Sequence, residues 1–265
     1  MERPASVTFL GVGSAFTTAQ YYQSNLLITA KSGKRMLIDC GSDARFSLAE
    51  WGLLNGIKTP QIDAVYASHL HADHIGGLEW LAFSTYFNSE IPQPKLFIVG
   101  EILDMLWSES LQGGLGFISD KVMSLSDYFN VHPLQTETPF EWEGIQFTPY
   151  KLLHVENSRR NVYSYGLLIR SVDAGSTLFF SSDAVFNTDL LNLITTLEPQ
   201  VDLFFQDTET LPFRTNVHAH YEDLVTLPDA IKKKMWLYHY SPDPPVRPDQ
   251  DGFLGLIKKG QTFLI

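Results

Sequence analysis

At 265 residues the chain has room for one or two domains, and its 44% hydrophobic residues can bury a sizeable core. With 19 Lys and Arg against 30 Asp and Glu, the formal net charge is −11, so the surface as a whole repels a nucleic-acid polymer. The one cysteine, Cys40, excludes an intramolecular disulfide, the first residues carry no apolar signal region, and no apolar stretch reaches the ~18 residues of a membrane span. The expectation is a soluble, cytoplasmic protein with no membrane partner and a single α/β domain over residues 1–265.

Residues 7–10 read as a first strand running into Gly11-Val12-Gly13-Ser14-Ala15-Phe16. Glycines after a strand can cradle a phosphate, but no third glycine or Gly-Lys-Thr follows in register, which leaves a turn. Residues 25–29 and 35–39 read as strands around a turn at 31–34, a hairpin that ends at Asp39. Asp43 is placed to cap a helix over 44–51 that Gly52 would stop.

The run Ser68-His69-Leu70-His71-Ala72-Asp73-His74 is the densest chemistry in the chain. Imidazole nitrogen and carboxylate oxygen are the donors that zinc and similar divalent ions take, and this cluster exceeds what one catalytic ion needs. In extended backbone His69 and His71 point the same way, while Asp73 and His74 must turn to a second position, so two metals share the loop. An apolar strand over 62–67 leads in. A helix from 75 to about 88 leads out, with Leu78, Leu81, Ala82 and Phe83 at core spacing.

Ser-His-x-His-x-Asp-His-x-x-Gly resembles the signature of the metallo-β-lactamase-fold hydrolases. The resemblance implies an α/β fold, an αββα sandwich of two mixed sheets flanked by helices. For Asp39 it implies a residue that orients a ligating imidazole, where the residues alone read equally well as a strand-end turn.

Further along, 96–99 reads as a strand and Ile102, Leu103, Leu106 and Trp107 as one helical face. Gly113-Gly114-Leu115-Gly116-Phe117 reads as a mobile loop: a plain connector, a lid or part of a subunit contact. His132 has no partner motif and reads as structural. A hairpin turn within 142–150 leads into a strand that delivers His154, which by itself could equally be a surface residue. The polar loop beyond it holds Arg159 and Arg160, suited to a phosphate or a base, or simply solvated. Residues 163–170 and 177–181 read as paired strands around a turn at 173–176, the second ending in Ser182-Asp183-Ala184. A helix through Leu190, Ile194 and Leu197 closes at Pro199, and a buried strand over 201–207 ends in Asp207. His218-Ala219-His220, a strand ending in His239, a proline-rich loop, and Phe253-Leu254-Gly255 packing back complete the chain.

The resemblance assigns these residues roles. It implies that His69, His71 and His154 hold one divalent ion, that Asp73, His74 and His239 hold the other, and that Asp183 bridges them. Zinc suits these donors, and manganese or iron fits the same shell. The opening Thr8-Phe9-Leu10-Gly11-Val12-Gly13-Ser14-Ala15 is similar to the RNase Z-like branch, in which a strand-end His-Glu-Ala-Thr and a later His-Ser-Thr supply an acid and imidazole pair. Gln206-Asp207-Thr208-Glu209 and His218-Ala219-His220 match these stretches, with Asp207 in place of the glutamate and His220 in place of the threonine. By this carry-over His218, held by Asp207, is the general acid, Asp73 orients the attacking water, and Arg159, Arg160 and His220 are substrate contacts.

That pair points to phosphodiester rather than lactam or thioester hydrolysis, because a ribose alkoxide leaves poorly without a proton. The interval from His154 to Asp183 is filled by a loop and two strands, without the long arm by which transfer-RNA 3′-processing enzymes grip substrate, and the acidic charge disfavours structured RNA. The missing arm and the Gly-Gly-Leu-Glu-Trp-Leu-Ala-Phe helix resemble the compact cyclic-nucleotide phosphodiesterases, closest to the anti-Pycsar enzymes of phages and bacteria. The resemblance implies hydrolysis of 3′,5′-cyclic CMP, UMP, AMP and GMP to linear nucleotides, counteracting cyclic-nucleotide immune signalling. It also implies a homodimer in which residues 113–117 or 159–161 of one subunit close over the other's site. Two alternatives stand: an RNase Z-like endoribonuclease processing tRNA 3′ ends, and a protein that binds metal or nucleotide without turnover.

Overall fold

Short apolar runs punctuated by turns pair into two seven-stranded sheets in the computed structural model, which describes residues 4–58, 60–171 and 175–265. The first sheet takes β1 (Ser6–Phe9), β2 (Leu26–Thr29), β3 (Arg35–Ile38), β4 (Ala64–Ala67) and β5 (Lys95–Val99). A separate hairpin of β6 (Phe117–Ile118) and β7 (Lys121–Val122) follows, and β8 (Asn130–Leu134) returns to the first sheet. The second sheet takes β9 (Phe140–Trp142), β10 (Ile145–Val155), β11 (Val162–Ser171), β12 (Ser176–Phe180), β13 (Leu203–Asp207), β14 (Met235–Tyr238) and β15 (Gly255–Leu256). Last, β16 (Thr262–Leu264) pairs with β1 and closes an edge of the first sheet.

Both sheets are mixed. The neighbours β3, β4, β5 and β8 run parallel in the first, as do β12, β13, β14 and β15 in the second, and the remaining pairs are antiparallel. In open α/β sheets, ligands gather beyond the carboxyl ends of parallel strands. The ligand loop follows β4, Asp183 follows β12, Asp207 ends β13 and His239 follows β14, so these residues share that kind of position.

Helices α1 (Ala44–Leu54), α2 (Ala72–Ile75), α3 (Leu78–Tyr86), α4 (Gly100–Met105) and α5 (Gln112–Leu115) connect strands of the first half. In the second half, α6 (Thr188–Leu197), α7 (Tyr221–Val225) and α8 (Asp229–Lys232) do the same. The main core lies between the sheets, where Phe9 meets Phe205 edge-on at 5.1 Å and the Tyr66 hydroxyl donates to the Tyr165 carbonyl at 2.7 Å. A second core packs Leu190, Ile194 and Leu197 of α6 against Phe179 and Phe204. This is the αββα sandwich expected from the signature. Among the described residues no helix is long and apolar enough to cross a membrane.

Three local expectations are corrected. Helix α1 does not stop at Gly52 but runs to Leu54, and the glycine serves close packing, since a Cβ there would stand 2.6 Å from the Ile57 carbonyl oxygen. Asp43 occupies the N-cap position without capping, because its carboxylate accepts the Gln23 N–H at 2.9 Å instead. Residues 113–117 are not a mobile loop: the π-helical turn Leu106–Leu111 continues into α5, and Leu115 is fully buried. Gly114 lies against the exposed Glu79 side chain of α3, whose carboxylate would have to shift to admit a Cβ there. Strands β11 and β12 pair as expected, but Asp173 and Ala174 of the turn between them lie outside the described residues.

Candidate metal centre

Three strands that lead into the centre end on non-glycine residues in the left-handed region: Asp39 after β3 (φ 64°), Ser182 after β12 (φ 54°) and His239 after β14 (φ 63°). Each such residue costs on the order of 1–3 kcal/mol and persists only where its surroundings over-determine it. Fully paired strands on one side and a network of buried polar bonds on the other supply that constraint. The ligand loop after β4 continues into α2, where His71 is the residue before the first turn and Asp73 and His74 sit within it. On β10 a register shift between Leu153 and Val155 re-aims His154.

His154 Nε2 lies 2.9 Å from His71 Nδ1, and His69 Nε2 lies 3.2 Å from the same atom. The opposite nitrogens are engaged. His69 Nδ1 donates to Ser68 Oγ at 3.1 Å, the serine's own proton going to Asp39 Oδ2 at 2.7 Å, and His154 Nδ1 donates to the Val217 carbonyl at 2.7 Å. These bonds fix the tautomers and leave bare lone pairs on His69 and His154 aimed at His71. A single proton on His71 can relieve one of the two contacts, whereas a cation relieves both.

Beside this trio, His74 Nδ1 donates to Asp39 Oδ2 at 2.7 Å, and its buried Nε2, which makes no hydrogen bond, lies 3.2 Å from Asp183 Oδ2 and 3.4 Å from Asp73 Oδ2. His239 Nε2 lies 3.4 Å from the same oxygen of each carboxylate. Asp183 Oδ2 is also 3.8 Å from His154 Nε2 and 3.9 Å from His69 Nε2, so one carboxylate faces both groups. Its Oδ1 is buried with no hydrogen-bond partner. The donor atoms of His69, His71 and His154, and separately those of Asp73, His74, Asp183 and His239, lie within 4.8 Å of one another. Orphaned buried donors and converging lone pairs fit divalent cations, and these two groups are where two such ions would be held.

Burial disfavours charge on all these rings, with different outcomes. It holds His69 well below its ordinary value and takes His154 down to about 4. On His74 burial is outweighed by the charges of Asp183, Asp73 and Asp39, and its pKa rises well above the ordinary value. Against the penalty of burial, the surrounding histidines hold the Asp73 and Asp183 carboxyls below the usual carboxylate range.

His218 stands next to this cluster, its Nδ1 donating to buried Asp207 Oδ2 at 3.0 Å and lying 3.8 Å from Asp183 Oδ2. Burial again opposes its charge, but the Asp207 hydrogen bond and the charges of Asp183 and Asp207 push its pKa up to about 9. Asp207, His218 and His239 form with Asp183 a further set of converging donors.

Not every candidate joins the centre. His220 is a helix-capping residue: its Nε2 donates to the Leu211 carbonyl at 3.0 Å and its Nδ1 accepts the Glu222 N–H at the start of α7. Both ring nitrogens are therefore engaged within the fold, while the ring lines the same cavity as His218. Arg159 is exposed, its backbone N–H bonded to Asn157. Arg160 is exposed too, reaching Glu109 at 3.4 Å, and it lines a cavity of about 360 Å³ that opens on His71. A second cavity, of about 220 Å³, includes His218. His132 packs on Phe97 with ring centroids 5.1 Å apart and stays outside the cluster. The serines of these motifs also matter: Ser182 Oγ donates to Ser68 Oγ at 2.9 Å, extending the network beneath the histidines.

The model of the family described as Anti-Pycsar protein Apyc1 matches residues 5–263. The sequence is 31% identical over 269 residues to the anti-Pycsar protein Apyc1 of Bacillus phage vB_BveM-Goe7, covering 98% of each chain. It is 34% identical over 235 residues to that of Paenibacillus harenae, covering 88% of this chain and 89% of the relative. Among solved structures, the metallo-β-lactamase fold protein YhfI from Bacillus subtilis matches with a TM-score of 0.71 over 98% of both chains, at 18% identity, a likeness of fold.

Proposed function

The chain belongs to the anti-Pycsar protein Apyc1 family, and on that premise we propose that it is a metal-dependent phosphodiesterase that opens 3′,5′-cyclic mononucleotides to linear nucleotides. The observation that carries this reading is a histidine held by a buried carboxylate, His218 on Asp207, beside two adjoining groups of converging donors that Asp183 faces. When bound, two divalent ions, zinc foremost, supply charge neutralisation at phosphorus and make water acidic enough to attack at neutral pH.

The protein's own residues do the rest. His69, His71 and His154 would hold one ion and Asp73, His74 and His239 the other, with Asp183 placed to serve both. Asp39 orients His74 directly and His69 through Ser68, so one carboxylate disciplines a ligand on each side. Asp73 orients the attacking water. Because Asp207 keeps the Nδ1 proton of His218 engaged, the proton handed to the leaving ribose oxygen comes from Nε2. The hydrogen bond and charge of Asp207 favour the protonated ring that a general acid requires.

A small substrate fits the chain's proportions. β10 runs through the short loop at 156–161 straight into β11, with no RNA-gripping arm among the described residues, and a net charge of −11 opposes a ligand bound through many phosphates. The reading includes a homodimer, for which light scattering gives the mass, with residues 159–161 as the segment that closes over the neighbouring site. Product analysis after incubating metal-loaded protein with cyclic CMP, UMP, AMP and GMP tests the activity. Linear nucleotides are the expected result. No conversion with two ions bound overturns the reading and makes precursor transfer RNA the next substrate to try.

A further inference from the structure

The cavity of about 360 Å³ beside His71 holds side chains for which the metal chemistry has no use. Its walls include Leu70, Ile102 and Tyr163, and its polar floor is built on Glu101 at the start of α4. Glu101 Oε2 accepts from Lys151 Nζ at 2.5 Å and from the Tyr165 hydroxyl at 3.2 Å. Lys151 Nζ in turn sits 4.3 Å from the centroid of the Tyr163 ring. Among the described residues nothing engages Glu101 Oε1, and an ammonium has three donors, so the pair presents an acceptor beside spare donors.

Lys151 and Glu101 are 36% and 51% exposed, and a surface ion pair of that kind contributes little to stability. A π-helical turn, Leu106–Leu111, forms the adjacent wall, and such wide turns occur mostly at functional sites. The volume falls in the ~300–1,000 Å³ range of small-molecule sites, whereas the cavity at His218 falls short of it. An unstacked nucleobase is read by hydrogen bonds along its pairing edge and by aromatic or apolar contact on its faces. Every nucleobase shows a donor next to an acceptor on that edge.

We propose that Glu101 and Lys151, with Tyr163 and Tyr165, form the subsite that receives and ranks the nucleobase while the phosphodiester lies at the metal centre. The proposal rests on the phosphodiesterase reading above. The paired acid and amine can meet any base by exchanging which partner each group bonds, so the subsite admits several bases and ranks them by the remaining fit.

The test compares wild type, Lys151→Met and Glu101→Gln, each with its metal content measured, on the four cyclic nucleotides and on bis(p-nitrophenyl) phosphate, a diester without a base. The expected result is a KM for cyclic nucleotides raised about tenfold in Lys151→Met, the scale of one hydrogen bond to a charged group, with kcat little changed. Glu101→Gln, which turns an acceptor into a donor, is expected to reorder the bases. Both variants should cleave the baseless diester as wild type does. Equal losses on both kinds of substrate, or no loss on either, would overturn the subsite and leave the phosphodiesterase reading intact. A wild-type enzyme that cleaves the baseless diester but no cyclic nucleotide overturns the functional reading, and the base subsite with it.

Discussion

His69, His71 and His154 bring three imidazoles to one point, whereas Asp73, His74, Asp183 and His239 set two carboxylates among two imidazoles a few ångströms away. One loop supplies part of each group, yet their electrostatics diverge. In the imidazole group burial decides, and His69 and His154 are kept neutral with lone pairs ready. In the carboxylate group the fixed negative charges decide, and His74 is drawn toward its charged form. Nearly equal burial therefore has opposite results, depending on whether an acid shares the pocket. The carboxylate group offers a cation formal charge, and the imidazole group offers mainly lone pairs, with Asp183 of the first group facing the second at 3.8 to 3.9 Å.

The largest test of that comparison is Asp183→Asn, which removes the charge common to both groups. Elemental analysis should find fewer than two ions per chain, with turnover of cyclic nucleotides lost; two ions retained would show that the groups do not depend on Asp183. Next, His218→Ala should lower kcat by roughly 10²–10⁴-fold, the usual contribution of a general acid, with both ions kept. Loss of metal in that variant would instead make His218 a ligand, drawing on the converging set it forms with Asp183, Asp207 and His239.

Smaller effects separate the two groups. Asp39→Asn should weaken metal binding by roughly 10–100-fold, with the carboxylate group hit first because His74 loses its direct partner. Ser68→Ala should act less strongly and on the imidazole group, through His69. Chelator titrations of the two variants, followed by metal release, check the order, and identical release curves would erase the distinction. The smallest effect appears in pH rather than in maximal rate. His218 must be protonated to act, so activity falls as pH rises through its pKa. Asp207→Asn removes the charge that raises that pKa and leaves only a neutral acceptor for Nδ1, so the alkaline limb of the kcat profile should move to lower pH. An unmoved limb would assign it to another group.

The metal centre was largely legible because its chemistry is written locally. His69, His71, Asp73 and His74 fall in one short run, and Asp183 and His239 each follow an apolar strand, the position from which α/β sheets present ligands. Histidine spacing does not say what the His220 ring bonds to; the start of α7 engages its Nδ1 and the Leu211 carbonyl its Nε2. The glycines at 113, 114 and 116 looked like a loop, yet α5 continues the helical turn of Leu106–Leu111 and buries Leu115, a tertiary contact that glycine content does not reveal. Glu101 and Lys151 carried no signal, since one belongs to the start of α4 and the other to β10, and only the packed sheets make them neighbours.

The sequence alone determined most strand and helix periods and the donor-rich run from His69 to His74, because residue type and short-range spacing specify them, whereas the pairing of Asp207 with His218 came from the family resemblance. Tertiary structure decided which nitrogen of each ring is free, which way burial and nearby acids shift each histidine, and where a cavity of about 360 Å³ opens on His71. Those properties depend on burial and on partners far apart in the chain, such as Asp39 with His74 and Val217 with His154. Folding alone brings such groups within reach of one another.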